Sequence, residues 1–80
     1  MLRIAKPTRL TTGEIINRAL TYFGKEGQGL EEKEHSMCCV SFEGAGGYVA
    51  VSVVDEDKHR MVDVETREFE YQAKQFLNTI

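Results

Sequence analysis

Residues 36–65 read SMCCVSFEGAGGYVAVSVVDEDKHRMVDVE, and the alternation inside this stretch decides the fold. In an extended chain successive side chains point to opposite faces. From Met37 onward that rule puts Cys38, Val40 and Phe42 on one side and Met37, Cys39, Ser41 and Glu43 on the other. The first side is the apolar one. Gly44-Ala45-Gly46-Gly47 follows, and its glycines take positive φ at little cost, as a tight hairpin requires. Residues 48–55 alternate again, with Val49, Val51 and Val53 set against Tyr48, Ala50, Ser52 and Val54, and their β-branched content favours a strand over a helix. Asp55-Glu56-Asp57-Lys58-His59 is too polar to bury and has the length of a second reversal. Residues 60–65 then set Val62 and Val64 against Met61, Asp63 and Glu65. The pattern predicts a three-stranded antiparallel meander whose valine side joins the core.

Helical periodicity flanks the meander on both sides. Thr11-Thr12-Gly13-Glu14 fits a capping box, in which the Thr11 hydroxyl accepts from the Glu14 N–H and the Glu14 carboxylate reaches back to the Thr11 N–H. Ile15, Ile16, Ala19, Leu20 and Phe23 follow at helical spacing, and Gly24 or Gly27 ends the run. Residues 27–35 combine glycines with Glu31-Glu32-Lys33-Glu34 and read as a surface loop. Thr66 is placed to cap a second helix with Glu68 and Glu70 in its first turn, where negative charge suits the helix dipole. Phe69, Ala73, Phe76, Leu77 and Ile80 then form its apolar stripe. Residues 1–10 read as a basic N-terminal arm anchored by Leu2, Ile4 and Leu10, ahead of a single domain over residues 11–80. The expected fold is α+β, a two-layer sandwich in the order α-β-β-β-α, with both helices on one face of the sheet.

Composition limits what such a domain does. With 80 residues, 41% hydrophobic and 29% charged, the chain has material for one core. A chain this short buries only about 60% of its extended surface on folding, so association would add to its stability. No apolar run approaches the roughly 18 residues of a membrane span, and charge and Pro7 interrupt the start before a signal-peptide core forms. The expected location is cytoplasmic, away from the membrane. Two adjacent cysteines make no disulfide framework, which fits a reducing compartment. Because strand neighbours point to opposite faces, Cys38 is expected in the core and Cys39 as a packed or interfacial thiol, neither of them catalytic or ligating. His35 and His59 have no partner at a catalytic spacing. Asp55-Glu56-Asp57 lacks the spaced acids and central glycine of a calcium loop. The clusters of residues 24–29 and 44–47 do not open helices as phosphate loops do. No catalytic, cofactor or metal site is expected.

Two functional readings follow. In the first the chain is a binding or structural module rather than an enzyme. The uncovered face of the sheet shows Met37, Cys39, Ser41, Tyr48, Ala50, Ser52, Val54 and Met61, with Glu43, Asp63 and Glu65 nearer the ends. A small, flat, partly apolar face of this kind suits a homo-oligomer or a protein partner, through the face itself or a strand edge. In the alternative, the charge asymmetry matters more. Residues 1–25 carry Arg3, Lys6, Arg9, Arg18 and Lys25 against Glu14 alone, although the whole chain has net charge -3. These five are the candidate nucleic-acid contacts. The order helix, three strands, helix over residues 11–80 resembles the double-stranded RNA-binding domain, which implies RNA backbone contacts from helix one, the first hairpin and a lysine-rich start of helix two. Here helix two opens Thr66-Arg67-Glu68-Phe69-Glu70 and the hairpin carries no basic side chain, both departures from that pattern. Small toxin ribonucleases share the same order with a histidine near the first strand, a position that His35 approximates.

Overall fold

The structure, a computed structural model, describes residues 1–56 and 58–80. Its elements are β1 (Leu2–Thr8), α1 (Thr12–Phe23), β2 (Glu31–His35), β3 (Cys39–Gly44), β4 (Gly47–Asp55), β5 (Arg60–Arg67) and α2 (Glu70–Asn78). The class is α+β as expected, but the sheet has five strands, in the order β1-β5-β4-β3-β2, and every neighbouring pair is antiparallel. The expected three-stranded meander is its centre. β1 and β2 are the two edges, and α1 carries the chain from one to the other across the sheet.

Val40, Phe42, Val49, Val51, Val53, Val62 and Val64 are all buried on one face, as the alternation requires. Both helices share that core: Ile15, Ile16, Ala19 and Phe23 from α1, and Ala73, Phe76 and Leu77 from α2. Phe23 lies at its centre, with ring centroids 5.7 Å from Phe42, 5.3 Å from Phe76 and 5.0 Å from Tyr22. The β3–β4 hairpin turns at Ala45 and Gly46, whose φ values of 49° and 82° are those of a primed turn matched to strand twist.

Thr11 caps α1 through the reciprocal box, its hydroxyl accepting from Glu14 N–H at 3.2 Å and its N–H donating to Glu14 Oε1 at 3.0 Å. Thr11→Ala is expected to cost about 1 kcal/mol, measured by urea denaturation. The backbone hydrogen bond from Thr11, followed by its side-chain hydrogen bond, lowers the pKa of Glu14. The Glu14 contribution is therefore complete above its unfolded value and fades as pH falls through the lower folded value. The cost of Glu14→Gln is expected to shrink in that acid window, since the carboxylate that the Thr11 N–H holds is the group that titrates.

Four local expectations are corrected. Leu2–Thr8 is no arm but edge strand β1, with Leu2, Ile4 and Lys6 opposite Thr66, Val64 and Val62. Glu31–His35 is strand β2 instead of loop, held by pairing with β3 although every side chain in it is exposed. Thr66 does not cap a helix: β5 runs on to Arg67, and buried Thr66 donates its hydroxyl proton to the Tyr48 carbonyl at 2.6 Å. Chain reversal falls instead at Glu68, with φ of 79°, and α2 starts after Phe69 without a side-chain cap. Cys38 is not in the core. β3 begins at Cys39, which leaves Cys38 exposed in the connection and disulfide-bonded to Cys39.

The basic start of the chain is partly spent inside the fold. Lys6 Nζ donates to the Leu77 carbonyl at 2.8 Å and Arg18 Nη1 to the Thr79 carbonyl at 3.0 Å. Two cations thus meet the negative end of α2, where helix carbonyls lack intrahelical partners. No helix among the described residues is long and apolar enough to cross a membrane.

Candidate functional site: the open face of the sheet

With both helices on one side, the sheet register assigns the other face residue by residue. Its first row, from β2 to β5, is Glu31, Glu43, Tyr48, Arg67. The second, across all five strands, is Glu34, Ser41, Ala50, Glu65, Arg3. The third is Cys39, Ser52, Asp63, Ala5, and the last is Val54, Met61, Pro7. Seven of the eight interface candidates, namely Cys39, Ser41, Tyr48, Ala50, Ser52, Val54 and Met61, stand in these rows. Met37 does not: it sits in the β2–β3 connection, 94% exposed.

The face grades from charged to apolar along the strands. At the charged end, Tyr48 Oη donates to Glu65 Oε2 at 2.7 Å, and the Arg67 guanidinium lies 5.7 Å from the Tyr48 ring centroid. On β1, Arg3 Nε and Nη2 donate to the Asp63 carboxylate at 3.2–3.3 Å, yet the Arg3 side chain stays 69% exposed. Across the middle the side chains are short. Ser41, Ala50 and Ser52 floor a depression of about 440 Å³ walled by Glu34, His35 and Cys39. The far end is apolar, with Val54 54% exposed beside Met61 and Pro7.

The hydrogen bond to Glu65, ahead of burial and the carboxylate charge, raises the Tyr48 pKa above the ordinary tyrosine value. Glu65→Gln is expected to move the Tyr48 titration down, read by NMR on ring-labelled tyrosine. An unmoved titration would contradict the contact.

Both edges are guarded against pairing with another strand. β1 carries Pro7, which has no N–H, and β2 carries Glu31, Glu32, Lys33 and Glu34 with a register break between Glu32 and Glu34. Proline, charge and bulges are the devices that keep exposed edges from adding strands.

Of the five candidate nucleic-acid contacts, Arg3, Lys6 and Arg18 hydrogen-bond within the chain. Arg9 follows β1, and Lys25 follows α1 at the other side of the sheet. The five therefore form no single patch. His35 Nδ1 lies 3.3 Å from Glu32 Oε2 in an exposed pair, while His59 stands in the β4–β5 connection, separated from β2 by the width of β3 and β4. Asp57 lies outside the described residues, so the Asp55-Glu56-Asp57 turn is described only at its first two positions. Among the described residues no three His, Cys, Asp or Glu side chains are placed to hold a metal ion.

Arg3, Ala5, Pro7, Glu31, Glu34 and Arg67 are the members of this face that residues 36–65 do not disclose. Leu2 and Ile4 alternating with Arg3 and Ala5 is the signal for β1, obscured by Lys6 and Pro7. β2 has no apolar alternation at all. Comparison with protein-family models, curated proteins and solved structures finds no match.

Proposed function

We propose that the chain is a small structural or binding module that works as a homodimer through the open face of its sheet. The observation that carries this reading is the self-complementarity of the first two rows and of the apolar end. β4 is the central strand of the sheet, so a two-fold axis running along it lays β1 of one copy over β2 of the other, and β5 over β3. Within the second row Arg3 then meets Glu34 of the second copy. In the first row Arg67 meets Glu43 of the second copy, and the apolar ends meet each other. Such an isologous contact satisfies both copies with one patch.

The short side chains at the centre support close approach. Ser41, Ala50 and Ser52 let two sheets come to the ~10 Å spacing of packed sheets. The guarded edges favour the face over strand addition as the mode of assembly. Lys6 and Arg18, already hydrogen-bonded to carbonyls at the end of α2, weigh toward protein contacts over phosphate.

A charge exchange tests the pairing. Arg67→Glu and Glu43→Arg, made singly, each oppose like charges across the axis and are expected to weaken dimerisation at least about tenfold, since like-charge contacts cost several kcal/mol. The double variant restores opposite charges and is expected to recover the affinity, as read by sedimentation velocity. Singles without effect, or a double no better than either, would overturn the arrangement.

A further inference from the structure

We infer that Cys38 and Cys39 form a reversible thiol–disulfide exchange site for low-molecular-weight thiols, at the margin of the open face, where Cys39 stands in the third row, and argued independently of the dimer. A disulfide stabilises a fold by closing a loop, and its effect grows with the number of residues enclosed. Cys38 and Cys39 are adjacent and enclose none. The bond therefore has little to contribute to folding, and other contacts hold the segment. The Val53 N–H donates to the Cys38 carbonyl at 2.9 Å, and the Ser36 N–H donates to the Cys39 carbonyl at 2.8 Å. Both links are main-chain and survive opening of the sulfur bridge.

Cys38 is exposed whereas Cys39 is half-buried on β3. Exchange requires a thiolate to reach one sulfur, and exposed bridges are the labile ones. Cys38 Sγ is the sulfur open to attack, and the Ser36 hydroxyl 3.6 Å away is in place to donate to it as a thiolate. An incoming small-molecule thiolate bonds to Cys38 Sγ, the Cys38–Cys39 bond breaks, and Cys39 leaves as a thiolate that takes a proton from water. A second thiolate attacks the small-molecule sulfur of the mixed disulfide and releases Cys38. Two small thiols become one small disulfide, and two electrons enter the protein. The reverse sequence closes the bridge.

The two states differ in local structure. The alternation of Cys38, Val40 and Phe42 suits a strand that includes Cys38, whereas β3 in the bridged chain starts at Cys39. Opening the bridge lets β3 extend by one residue, with the Cys38 side chain turning toward the Val40 side.

The test equilibrates the full chain in glutathione buffers of varied reduced-to-oxidised ratio, alkylates free thiols, and reads intact mass alongside circular dichroism and amide NMR. The expected result is a reversible passage between no alkylated cysteines and two, with the fold kept in both states and shift changes confined to residues 36–40 and 52–54. Cys39→Ser is expected to carry one glutathione at Cys38 in oxidising buffer. Two free thiols under every buffer, a bridge that opens only in denaturant, or loss of fold on reduction would overturn the assignment. Absence of the adduct on Cys39→Ser would overturn the role of Cys38 as the point of attack.

Discussion

Phe76→Ala is expected to remove about 3–5 kcal/mol of stability, the range for a large aromatic deleted from a packed core. Phe76 is fully buried, and its ring lies 5.3 Å from Phe23 and 5.9 Å from Tyr22, so truncation opens a cavity where α1 and α2 meet over the sheet. A domain of this length holds only about 4–12 kcal/mol in total, at 0.05–0.15 kcal/mol per residue. The loss is a large fraction of that. At about 4–8 °C per kcal/mol for small domains, thermal unfolding is expected to fall by at least about 12 °C, followed by circular dichroism. Tyr71→Ala is the control: Tyr71 stands on α2 70% exposed, and its removal is expected to stay within about 0.5 kcal/mol. Equal effects from the two variants would contradict the placement of α2.

The second large effect concerns association. Ala50→Arg puts a long cation at the centre of the face, on the proposed two-fold axis where it would meet itself, and Val54→Glu would put paired carboxylates into the apolar end. Both positions lie on β4 and face away from the helices, so unfolding is expected to shift little apart from the stability the dimer itself supplies. On the proposed arrangement the wild type dimerises and each variant is expected to stay monomeric at the same concentration. Gel filtration of each variant beside the wild type checks it, and a variant that stays dimeric would place the interface elsewhere.

How much of this was legible in the sequence varies by element. β3, β4 and β5 carry apolar side chains, mostly valine, at alternate positions because one side is buried under helices and the other is open, and that asymmetry writes itself into the chain. α1 is equally plain from its capping box and stripe. β2 is illegible for a physical reason: an edge strand with no buried side chain has no apolar pattern, and its place depends on main-chain pairing with β3. β1 reads as a strand only if Lys6 is allowed to face inward. It does so because the Leu77 carbonyl at the end of α2 accepts its ammonium, a contact between residues 71 positions apart. Thr66 misleads because a buried threonine satisfied by the Tyr48 carbonyl and a helix-capping threonine look alike in sequence. Cys38 misleads by one position, since alternation predicts its side only if the strand has already begun.

The open face was legible in its members from residues 36–65 and not in the charges that lie outside them. Arg3 and Glu34, which close the second row at either edge, come from the two strands that the pattern leaves out. Without them the face reads as small, flat and partly apolar, with Glu43, Asp63 and Glu65 nearer its ends; with them the second row gains a cation at one edge and an acid at the other.

The most direct measurement is molar mass in solution by light scattering, across a range of concentrations at low and moderate salt. A homodimer built on the open face is expected to give twice the 9.1 kDa chain mass, with dissociation favoured by added salt as the arginine–glutamate contacts are screened. A mass of one chain at every concentration and both salts would contradict the dimer.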